Sequence, residues 1–529
     1  MKVLTNPLLP GFYPDPSVCR KGEDYYLVTS SFEYFPGIPI FHSRDFVHWH
    51  QIGHCLTRPQ QLNLDHIKPS KGIYASTIRY REQDGLFYIS STLVKDPPYY
   101  GNINFYITAK DPAGPWSDPV IIQGAESIDP TLFFDGDRTY YLGNLRPFPQ
   151  ELSREERSIW LQEMDLPSGR LIGQRWILRT DGALHGAVAP EGPHLYKIGG
   201  WYYLMIAEGG TDHNHSVTIF RSRQIEGPYE VNPRNPVLTH RNLRRDYPIN
   251  STGHADLIQL SNGEWWAVLL ASRPDGGDYR NLGRETFAVP VIWEDEWPVF
   301  SPDTGHVEFT YPAPALPVCC WEEAPACDSK PFRKRAGKQY AGSALEPSPH
   351  APPRGLQPYA ASGLAKALPF PFPPGGSGKP SLYRTPAAAP VLCRPADDGI
   401  CTGRGRSGGA MLMNHEYHLA LLRGQENGVG HVSLWRCFAG KSECLARIPC
   451  EATHLWLRVT AYEQDYSFYM ATEPEHWQPV CEHVCGTLLS KEVAGGFTGT
   501  YIGLYATSNH QPTTNYADFD WFEYQPLVP

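Results

Sequence analysis

The chain has 529 residues, of which 46 are Lys or Arg and 56 are Asp or Glu, so its formal net charge is -10. An apolar fraction of 41% and an aromatic fraction of 12% are enough for a large core and exclude a chain that is disordered throughout. The acidic balance argues against a nucleic-acid or membrane partner, and no apolar run approaches the ~18 residues of a membrane span. Because the N-terminus lacks the apolar core of a signal peptide, the sequence predicts a cytoplasmic protein.

The cysteines agree with a reducing compartment. Of the twelve, only Cys19 and Cys55 lie in the first 318 residues, and none forms a CxxC pair or another zinc spacing. Disulfide frameworks belong to small secreted domains. We therefore interpret these residues as reduced, unligated thiols.

The first three hundred residues contain five copies of one pattern. Each copy has a small or acidic residue beside Pro or Ala, a short strand-like run, a turn and a second β-prone run. The copies begin at Tyr13, Tyr74, Ile128, Pro190 and Gly253, and their turns read KGED, QDG, DGD, IGG and SNG. Gly or Asp in these turns is typical of β-hairpins.

The spacing of the copies predicts the architecture. Aligning Asp15, Ser76, Asp129, Glu191 and Asp256 gives separations of 61, 53, 62 and 65 residues. A unit of that size holds about four short strands, which is one blade of a propeller. A two-sheet sandwich would not explain the repetition of whole hairpins. The prediction is an all-β fold that starts with a five-bladed propeller.

Three acidic residues occupy matching places in this pattern. Because the inner strands of a propeller line one channel, Asp15, Asp129 and Glu191 are expected to face a shared cavity. Each alone is typical of a turn or cap. Together they would repel one another, and such groups usually serve to perturb pKa values. Paired carboxylates in a concave pocket suit glycoside hydrolysis, in which one donates a proton while another acts on water.

The surroundings of these carboxylates are consistent with a sugar site. Four aromatic residues lie in or near the loops that join the repeats, where aromatic faces can pack on sugar rings: Phe32, Phe35, Tyr74 and Trp293. Arg284 in GRETF offers two donors to hydroxyls or to a carboxylate. For any single aromatic residue, core packing is the more common role.

The DHNH stretch contains two histidines, His213 and His215. They lack a third ligand at a metal-binding spacing, so a solvated loop is expected there. The sequence therefore predicts no metal site from residue spacing.

Seven motifs together resemble glycoside hydrolase family 43, and specifically its β-xylosidases, some of which also cleave α-L-arabinofuranosides. They are NPLLPGFYPDPSV, SSFEYFPGIPIFHSRDFVHW, GIYASTIRY, SIDPTLFFDGD, APEGPHLYK, TGHADL and GRETF. The resemblance covers about residues 4–315 and implies an inverting mechanism. It implies that Asp15 is the general base, that Glu191 is the general acid, and that Asp129 tunes the pKa of the acid and orients it.

The same resemblance suggests further contacts with the substrate. Arg284 corresponds to a substrate-binding arginine, and Phe32 and Tyr74 correspond to aromatic walls of the first sugar subsite. His254 of GHAD matches a channel histidine that bears on a bound calcium in some relatives, while a structural hydrogen bond explains it equally well. No cofactor is implied as required, and calcium near His254 is the one metal left open.

The C-terminal third, from residue 411 to 529, is strand-like and resembles the β-sandwich of the same xylosidases. In those relatives, the sandwich contributes an aromatic residue that helps to close the pocket, a role that Phe497 and Tyr501 fit equally. A closed pocket predicts exo action on short xylo-oligosaccharides. Relatives with this sandwich are commonly dimers or tetramers, so a homo-oligomer is expected.

Residues 316–410 depart from the family pattern and separate the propeller, residues 1–315, from the sandwich. Residues 321–410 hold 15 Pro and 12 Gly, and 12 Lys or Arg against 6 Asp or Glu, which leaves +6 here and -16 in the remainder. Such composition is typical of a linker. A sharper hypothesis is a shifted reading frame over about residues 328–409, which reading the encoding DNA in all three frames tests.

Two other functions stay open at this point. Retaining fructoside hydrolases share the propeller, but they carry NDPNG and RDP motifs where this chain has YPDPS and lacks RDP. A sugar-binding propeller without catalysis would not need all three carboxylates. The preference between xylose and arabinofuranose depends on a few pocket contacts that the sequence does not rank.

Overall fold

The structure is a computed structural model, and the residues it describes are almost all strands, turns and short loops. The described residues are 2–64, 67–95, 101–126, 128–145, 158–180, 182, 189–319, 389–392, 407–414, 416–426, 428–452, 454–507 and 518–519. The chain forms two compact units. The first consists of Met1–Pro274, Leu282–Trp321 and Pro371–Ser377, and the second of Asp275–Asn281, Glu322–Phe370 and Gly378–Pro529.

The described part of the first unit contains 23 strands. In chain order they are β1 (Val3–Thr5), β2 (Ser17–Lys21), β3 (Asp24–Val28), β4 (Gly37–Ser43), β5 (His50–Leu56), β6 (Gly72–Arg81), β7 (Leu86–Val94), β8 (Ile103–Ala109), β9 (Val120–Ile121), β10 (Thr131–Asp135), β11 (Arg138–Leu145), β12 (Ser158–Asp165), β13 (Arg170–Arg179), β14 (Glu191–Ile198), β15 (Trp201–Glu208), β16 (Ser216–Ser222), β17 (Glu230–Val231), β18 (Leu238–Thr239), β19 (Asn250–Gln259), β20 (Trp265–Ser272), β21 (Glu285–Glu294), β22 (Trp297–Phe300) and β23 (Thr310–Pro312).

These strands make five successive antiparallel sheets within the described residues. The sheets are β2–β5, β6–β9, β10–β13, β14–β17 and β19–β22, with β18 also paired to β16 and with β1 paired to β23. Middle strands such as β3 and β20 are apolar on both faces, since each sheet is covered on both sides. Antiparallel order follows from the short turns that the sequence places between consecutive runs.

One local distortion repeats at the start of each sheet. Five residues in equivalent places take positive φ values: Asp15 (53°), Ala75 (26°), Asp129 (60°), Gly192 (57°) and His254 (49°). We call them the bulge residues. Positive φ is costly for residues other than glycine, so the four that are not glycine must be held in this conformation by their surroundings.

Two residues after each bulge residue lies a buried polar side chain. These side chains, which we call the buried layer, belong to Ser17, Thr77, Thr131, His194 and Asp256. Their positions in the hairpins are equivalent. Four of them lie four residues before the last paired residue of the first strand of their sheet. Asp256 lies three residues before the last paired residue of its strand, Gln259, which is followed by a longer turn.

The repeat alignment drawn from the sequence is therefore wrong in three of its five positions. The residues equivalent to Asp15 and Asp129 are Ala75, Gly192 and His254. Ser76 and Glu191 are each offset from them by one residue, and Asp256 by two. Bulges shift the strand register near these residues, and a constant motif spacing cannot reveal such shifts.

The second unit contains two five-stranded antiparallel sheets among its described residues, and these form a β-sandwich. One sheet has the order β31-β30-β29-β24-β33 and the other β28-β27-β26-β25-β32. The strands are β24 (Ala389–Leu392), β25 (Ser407–Asn414), β26 (Tyr417–Glu426), β27 (Val429–Phe438), β28 (Lys441–Pro449), β29 (His454–Tyr462), β30 (Asp465–Ala471), β31 (Gln478–Cys485), β32 (Tyr501–Thr507) and β33 (Asp518–Phe519). A 3-10 helix (Thr487–Leu489) and a one-turn helix α1 (Lys491–Ala494) precede β32.

The predicted irregular segment, residues 316–410, lies mostly outside the described residues. Strand β24 and the first residues of β25 fall within it. The hypothesis of a shifted frame over residues 328–409 therefore stays a prediction. In the described parts of the chain, no helix has the length and apolarity needed to cross a membrane.

Candidate active site

Asp15 is held by three side chains in the first unit. Arg284 Nη1 donates to its Oδ1 over 2.5 Å, Ser30 Oγ donates to its Oδ2 over 2.6 Å, and His254 Nδ1 lies 3.7 Å from Oδ1. Burial raises the pKa of Asp15, but Arg284, then His254 and Ser30, outweigh burial and hold that pKa below its usual range. The carboxylate is therefore ionised at neutral pH.

Asp129 and Glu191 meet through the backbone of one glycine. Asp129 Oδ2 accepts the N–H of Gly192 over 3.0 Å, and Gly192 directly follows Glu191, the first residue of β14. Gly192 also faces the His254 ring, since a Cβ added to it would lie 2.8 Å from Nε2. These contacts place the predicted acid, its orienting carboxylate and the channel histidine in one neighbourhood.

Two aromatic rings, those of Phe32 and Tyr74, follow Arg284 in this set of contacts. Its guanidinium carbon lies 5.5 Å from the ring centroid of Phe32, which in turn lies 4.8 Å from that of Tyr74. Phe32 is buried, and it also packs on Phe12 with 5.7 Å between centroids. Phe32 thus supports the position of Arg284.

The seven residues singled out from the sequence therefore form one continuous group. Asp15 lies against His254 and Arg284, and the contacts continue from Arg284 to Phe32 and Tyr74. Gly192, the residue after Glu191, bonds to Asp129 and faces His254. Three of them, Asp15, Asp129 and His254, are bulge residues with strained backbone. Strain of this kind is concentrated at functional sites, because only strong surrounding contacts maintain it.

Glu33 is a member of this neighbourhood that sequence reasoning missed. Its Oε2 accepts the N–H of Ser70 over 3.1 Å, and the Ser70 carbonyl accepts the hydroxyl of Tyr74 over 2.5 Å. Burial raises the pKa of Glu33 to about 8. Its position next to Phe32 in SSFEYF was the only signal in the sequence.

His215 was expected in a solvated loop, and this expectation is wrong. The side chain is buried, and its Nδ1 lies 3.1 Å from the carbonyl of Ser251, so Nδ1 carries the proton. Burial lowers the pKa of His215 to about 3. Its ring packs flat on Gly253, where a Cβ would come within 2.4 Å of it. His215 therefore supports the strand that carries His254.

Trp293 was expected near the sugar site, and this is also wrong. It lies eight residues along β21 from Glu285, which is about 26 Å for an extended strand. There it packs on Tyr203 and Trp265, with centroids 5.1 and 5.4 Å away. Trp293 belongs to the opposite end of its sheet.

The buried layer connects the five sheets through hydrogen bonds. Ser17 Oγ donates to Asp256 Oδ2 over 2.6 Å, and the Thr77 and Thr131 hydroxyls are 3.3 Å apart, as are Thr131 Oγ1 and His194 Nδ1. Arg79, on β6, donates to both Asp256 oxygens over 2.7 and 3.0 Å. No motif signals this network, because its members are single polar residues on different strands.

The described residues contain no group of three or more His, Cys, Asp or Glu side chains that could hold a metal ion. The calcium expectation near His254 thus gains no support from the contacts around that residue.

Comparison with known proteins decides the family. Residues 4–298 match the model of glycosyl hydrolases family 43, and residues 403–525 match the β-xylosidase C-terminal concanavalin A-like domain. The chain belongs to glycosyl hydrolase family 43. It is therefore a glycoside hydrolase, and the resemblance found in the motifs is confirmed.

Relatives in family 43 match this chain over its full length. A xylosidase/arabinosidase of Butyrivibrio fibrisolvens is 38% identical and covers 99% of each chain. A non-reducing end α-L-arabinofuranosidase of Bacteroides ovatus is also 38% identical and covers 99% of this chain and 95% of its own. The crystal structure of a xylan β-1,4-xylosidase from Bacillus halodurans superposes with a TM-score of 0.82 at 29% identity, over 99% of this chain and all of that one.

Proposed function

We propose that the protein is an exo-acting, inverting glycoside hydrolase that releases xylose from the non-reducing end of xylo-oligosaccharides and also cleaves α-L-arabinofuranosides. The observation that carries the proposal is the ionised Asp15, held by Arg284 and connected through His254 and Gly192 to Glu191. A charged base and a second carboxyl group within one neighbourhood are what this hydrolysis requires.

In the proposed mechanism, Asp15 removes a proton from a water molecule as that water attacks the anomeric carbon. Glu191 donates its proton to the leaving oxygen, so the bond to the aglycone breaks as the bond to water forms. Asp129 orients the acid, because it holds the N–H of Gly192, the residue after Glu191. Arg284 both keeps Asp15 charged and offers donors to sugar hydroxyls.

We also propose that the five sheets close into a five-bladed propeller around these residues. Contacts of the buried layer support it: they pass from β2 to β6, β10, β14 and β19, and Asp256 on β19 returns to Ser17 on β2. A ring places the start of every first strand at one end of the channel. The catalytic residues would meet there.

The substrates are proposed from the relatives. Those named above act, by their names, on xylosides, arabinosides or both. The chain extends over their full length and carries the xylosidase-type C-terminal domain. The expectation that Phe497 or Tyr501 contributes to sugar binding stays a prediction; Phe497 lies four residues before β32, and Tyr501 is its first residue.

The experiment measures release of p-nitrophenol from p-nitrophenyl β-D-xylopyranoside and α-L-arabinofuranoside by the wild type and by Asp15→Asn. We expect turnover of both glycosides, and a fall in kcat of at least about 10³-fold in the variant, since removing a general base costs about that much. Affinity for xylose should persist. Equal turnover by Asp15→Asn would contradict the assignment of the base, and absence of wild-type turnover would favour a sugar-binding protein.

A matched control is Asp45→Asn. Asp45 is also a buried aspartate of the first unit, paired with His48 over 2.6 Å, but it lies outside the group around Asp15. It should keep wild-type kcat. The anomer of the first product, followed by NMR, tests inversion; retention would instead indicate a nucleophilic carboxylate.

A cytoplasmic location and a dimeric or tetrameric state are further proposals. Cell fractionation tests the first, and light scattering of the purified protein tests the second. A secreted protein or a monomer would contradict them.

A further inference from the structure

The buried layer lies on the same strands as the catalytic residues, but the proposed mechanism does not use it. Ser17 follows Asp15 by two residues, and Thr131 follows Asp129 by two. Each layer residue therefore lies two positions after a bulge residue along the chain, in the first strand of its sheet. All five layer side chains are buried, with exposures of 0 to 5%.

The carboxylate of Asp256 bonds to the two strands that matter most for the reaction. Its Oδ2 accepts the Ser17 hydroxyl over 2.6 Å and the Val18 N–H over 3.1 Å, both on β2, the strand that follows Asp15. Its Oδ1 accepts the hydroxyl of Tyr196 over 2.6 Å, on β14, the strand that begins with Glu191. One side chain therefore connects the strand of the base to the strand of the acid.

Arg79 neutralises the negative charge of Asp256 in the protein interior. It bonds to both oxygens of Asp256, and its Nη2 donates to His194 Nδ1 over 3.1 Å. Because a guanidinium has no acceptor, Nδ1 of His194 must be unprotonated. An unpaired buried carboxylate would be costly, whereas this pair is neutral overall.

The charges of this layer do not change in the range where the enzyme would work. Burial raises the pKa of Asp256, but Arg79 and then His194 outweigh it and hold that pKa far below its usual range. Burial lowers the pKa of His194 to about 3. The layer therefore behaves as a fixed support that does not titrate with the reaction.

We propose that Asp256 is a positioning residue that sets the separation between Asp15 and Glu191. The inference rests on the proposed function, because only a hydrolase needs that separation. An inverting reaction requires about 6.5–9.5 Å between the two carboxyl groups to admit water. A displacement of about 1 Å can cost about 100-fold in rate.

The test uses variants that keep the charges of the layer balanced. Asp256→Asn would leave Arg79 without its counter-charge and is expected to fold poorly. Tyr196→Phe and Ser17→Ala each remove one hydroxyl that donates to Asp256. Tyr203→Phe is the matched control, because Tyr203 pairs with Tyr196 on the neighbouring strand β15 but its hydroxyl donates to the Glu296 carbonyl, in the turn between β21 and β22, instead of to Asp256.

We expect Tyr196→Phe and Ser17→Ala each to lower kcat on the xyloside by about tenfold, with KM and the inhibition constant for xylose within about twofold of wild type. Tyr203→Phe should keep kcat within about twofold of wild type, even if its melting temperature falls as much as those of Tyr196→Phe and Ser17→Ala. If kcat of Tyr196→Phe and Ser17→Ala falls no more than that of the Tyr203→Phe control, the inference is overturned while the proposed function stands. A wild type without turnover on any glycoside overturns both.

Discussion

Arg284 and Asp15 form a buried ion pair, 2.5 Å from Nη1 to Oδ1, although 269 residues separate them in the chain. The guanidinium places a positive charge directly beside the carboxylate. This pair connects the first sheet of the chain to the last sheet of the first unit. It also fixes which protonation state Asp15 holds at neutral pH.

Replacing Arg284 should therefore alter the pH dependence of the reaction. In Arg284→Gln, the pKa of Asp15 rises, and the base is lost at a higher pH than in the wild type. The acidic limb of the kcat/KM profile should move up by about one pH unit or more. Measuring kcat/KM between pH 4 and 8 checks this, with Arg44→Gln, an exposed arginine, as the control. An unmoved acidic limb would mean that Asp15 does not control it.

The sequence predicted the residues around Asp15 well because motifs carry them. YPDPS, SIDPT, APEGP and GRETF each place one of these residues at or just before the first residue of a strand, whereas GHAD places His254 inside β19. The structure brings these five segments together around Asp15. His215, Glu33 and Arg79 were missed because their roles depend on contacts between distant segments. Register shifts at the bulges also misaligned the repeat, so that Asp256 was matched with Asp15 and Asp129 although it belongs to the buried layer.

Gly192 should not tolerate a side chain. A Cβ there would lie 2.8 Å from His254 Nε2, while Gly199, with the same φ of 57°, has nothing within 4 Å. Both alanine variants carry the cost of a left-handed backbone, about 1 kcal/mol. Only Gly192→Ala also displaces His254 and the N–H bonded to Asp129. We expect its kcat to fall at least tenfold while Gly199→Ala keeps wild-type kcat; equal effects would exclude the steric explanation.

Glu33 should make stability depend on pH. Burial raises its pKa to about 8, above the unfolded value of about 4.3, so between these values the folded state binds a proton that the unfolded chain has released. Stability contributed by this group is therefore lost as pH rises through that window, by about 1.4 kcal/mol per pH unit.

The variant Glu33→Gln keeps an acceptor for the Ser70 N–H but cannot ionise. Its melting temperature relative to wild type should increase steadily from pH 5 to pH 8. Glu82→Gln, on an exposed turn, should show a constant difference. A constant difference for Glu33→Gln as well would show that the buried carboxyl does not titrate in this range.

Asn281 should be important for the stability of the second unit. Its buried carboxamide donates to Gln464 Oε1, Tyr466 Oη and the Gly486 carbonyl over 3.2 to 3.3 Å. Asn281→Ala leaves these groups without their donor, at a cost of about 1–3 kcal/mol. Calorimetry should show an unfolding transition at lower temperature. Asn262→Ala, in an exposed turn, should leave the melting temperature within about one degree.

Asn281 also affects which segments can be exchanged between related genes by recombination. The second unit takes Asp275–Asn281 from between β20 and β21, and the remainder from beyond residue 321. A single recombination crossover between residues 281 and 322 would combine Gln464 and Tyr466 from one parent with the Asp275–Asn281 loop of another. Exchange of the C-terminal half between relatives would thus succeed only where the loop is exchanged with it, so the two stretches are expected to evolve together.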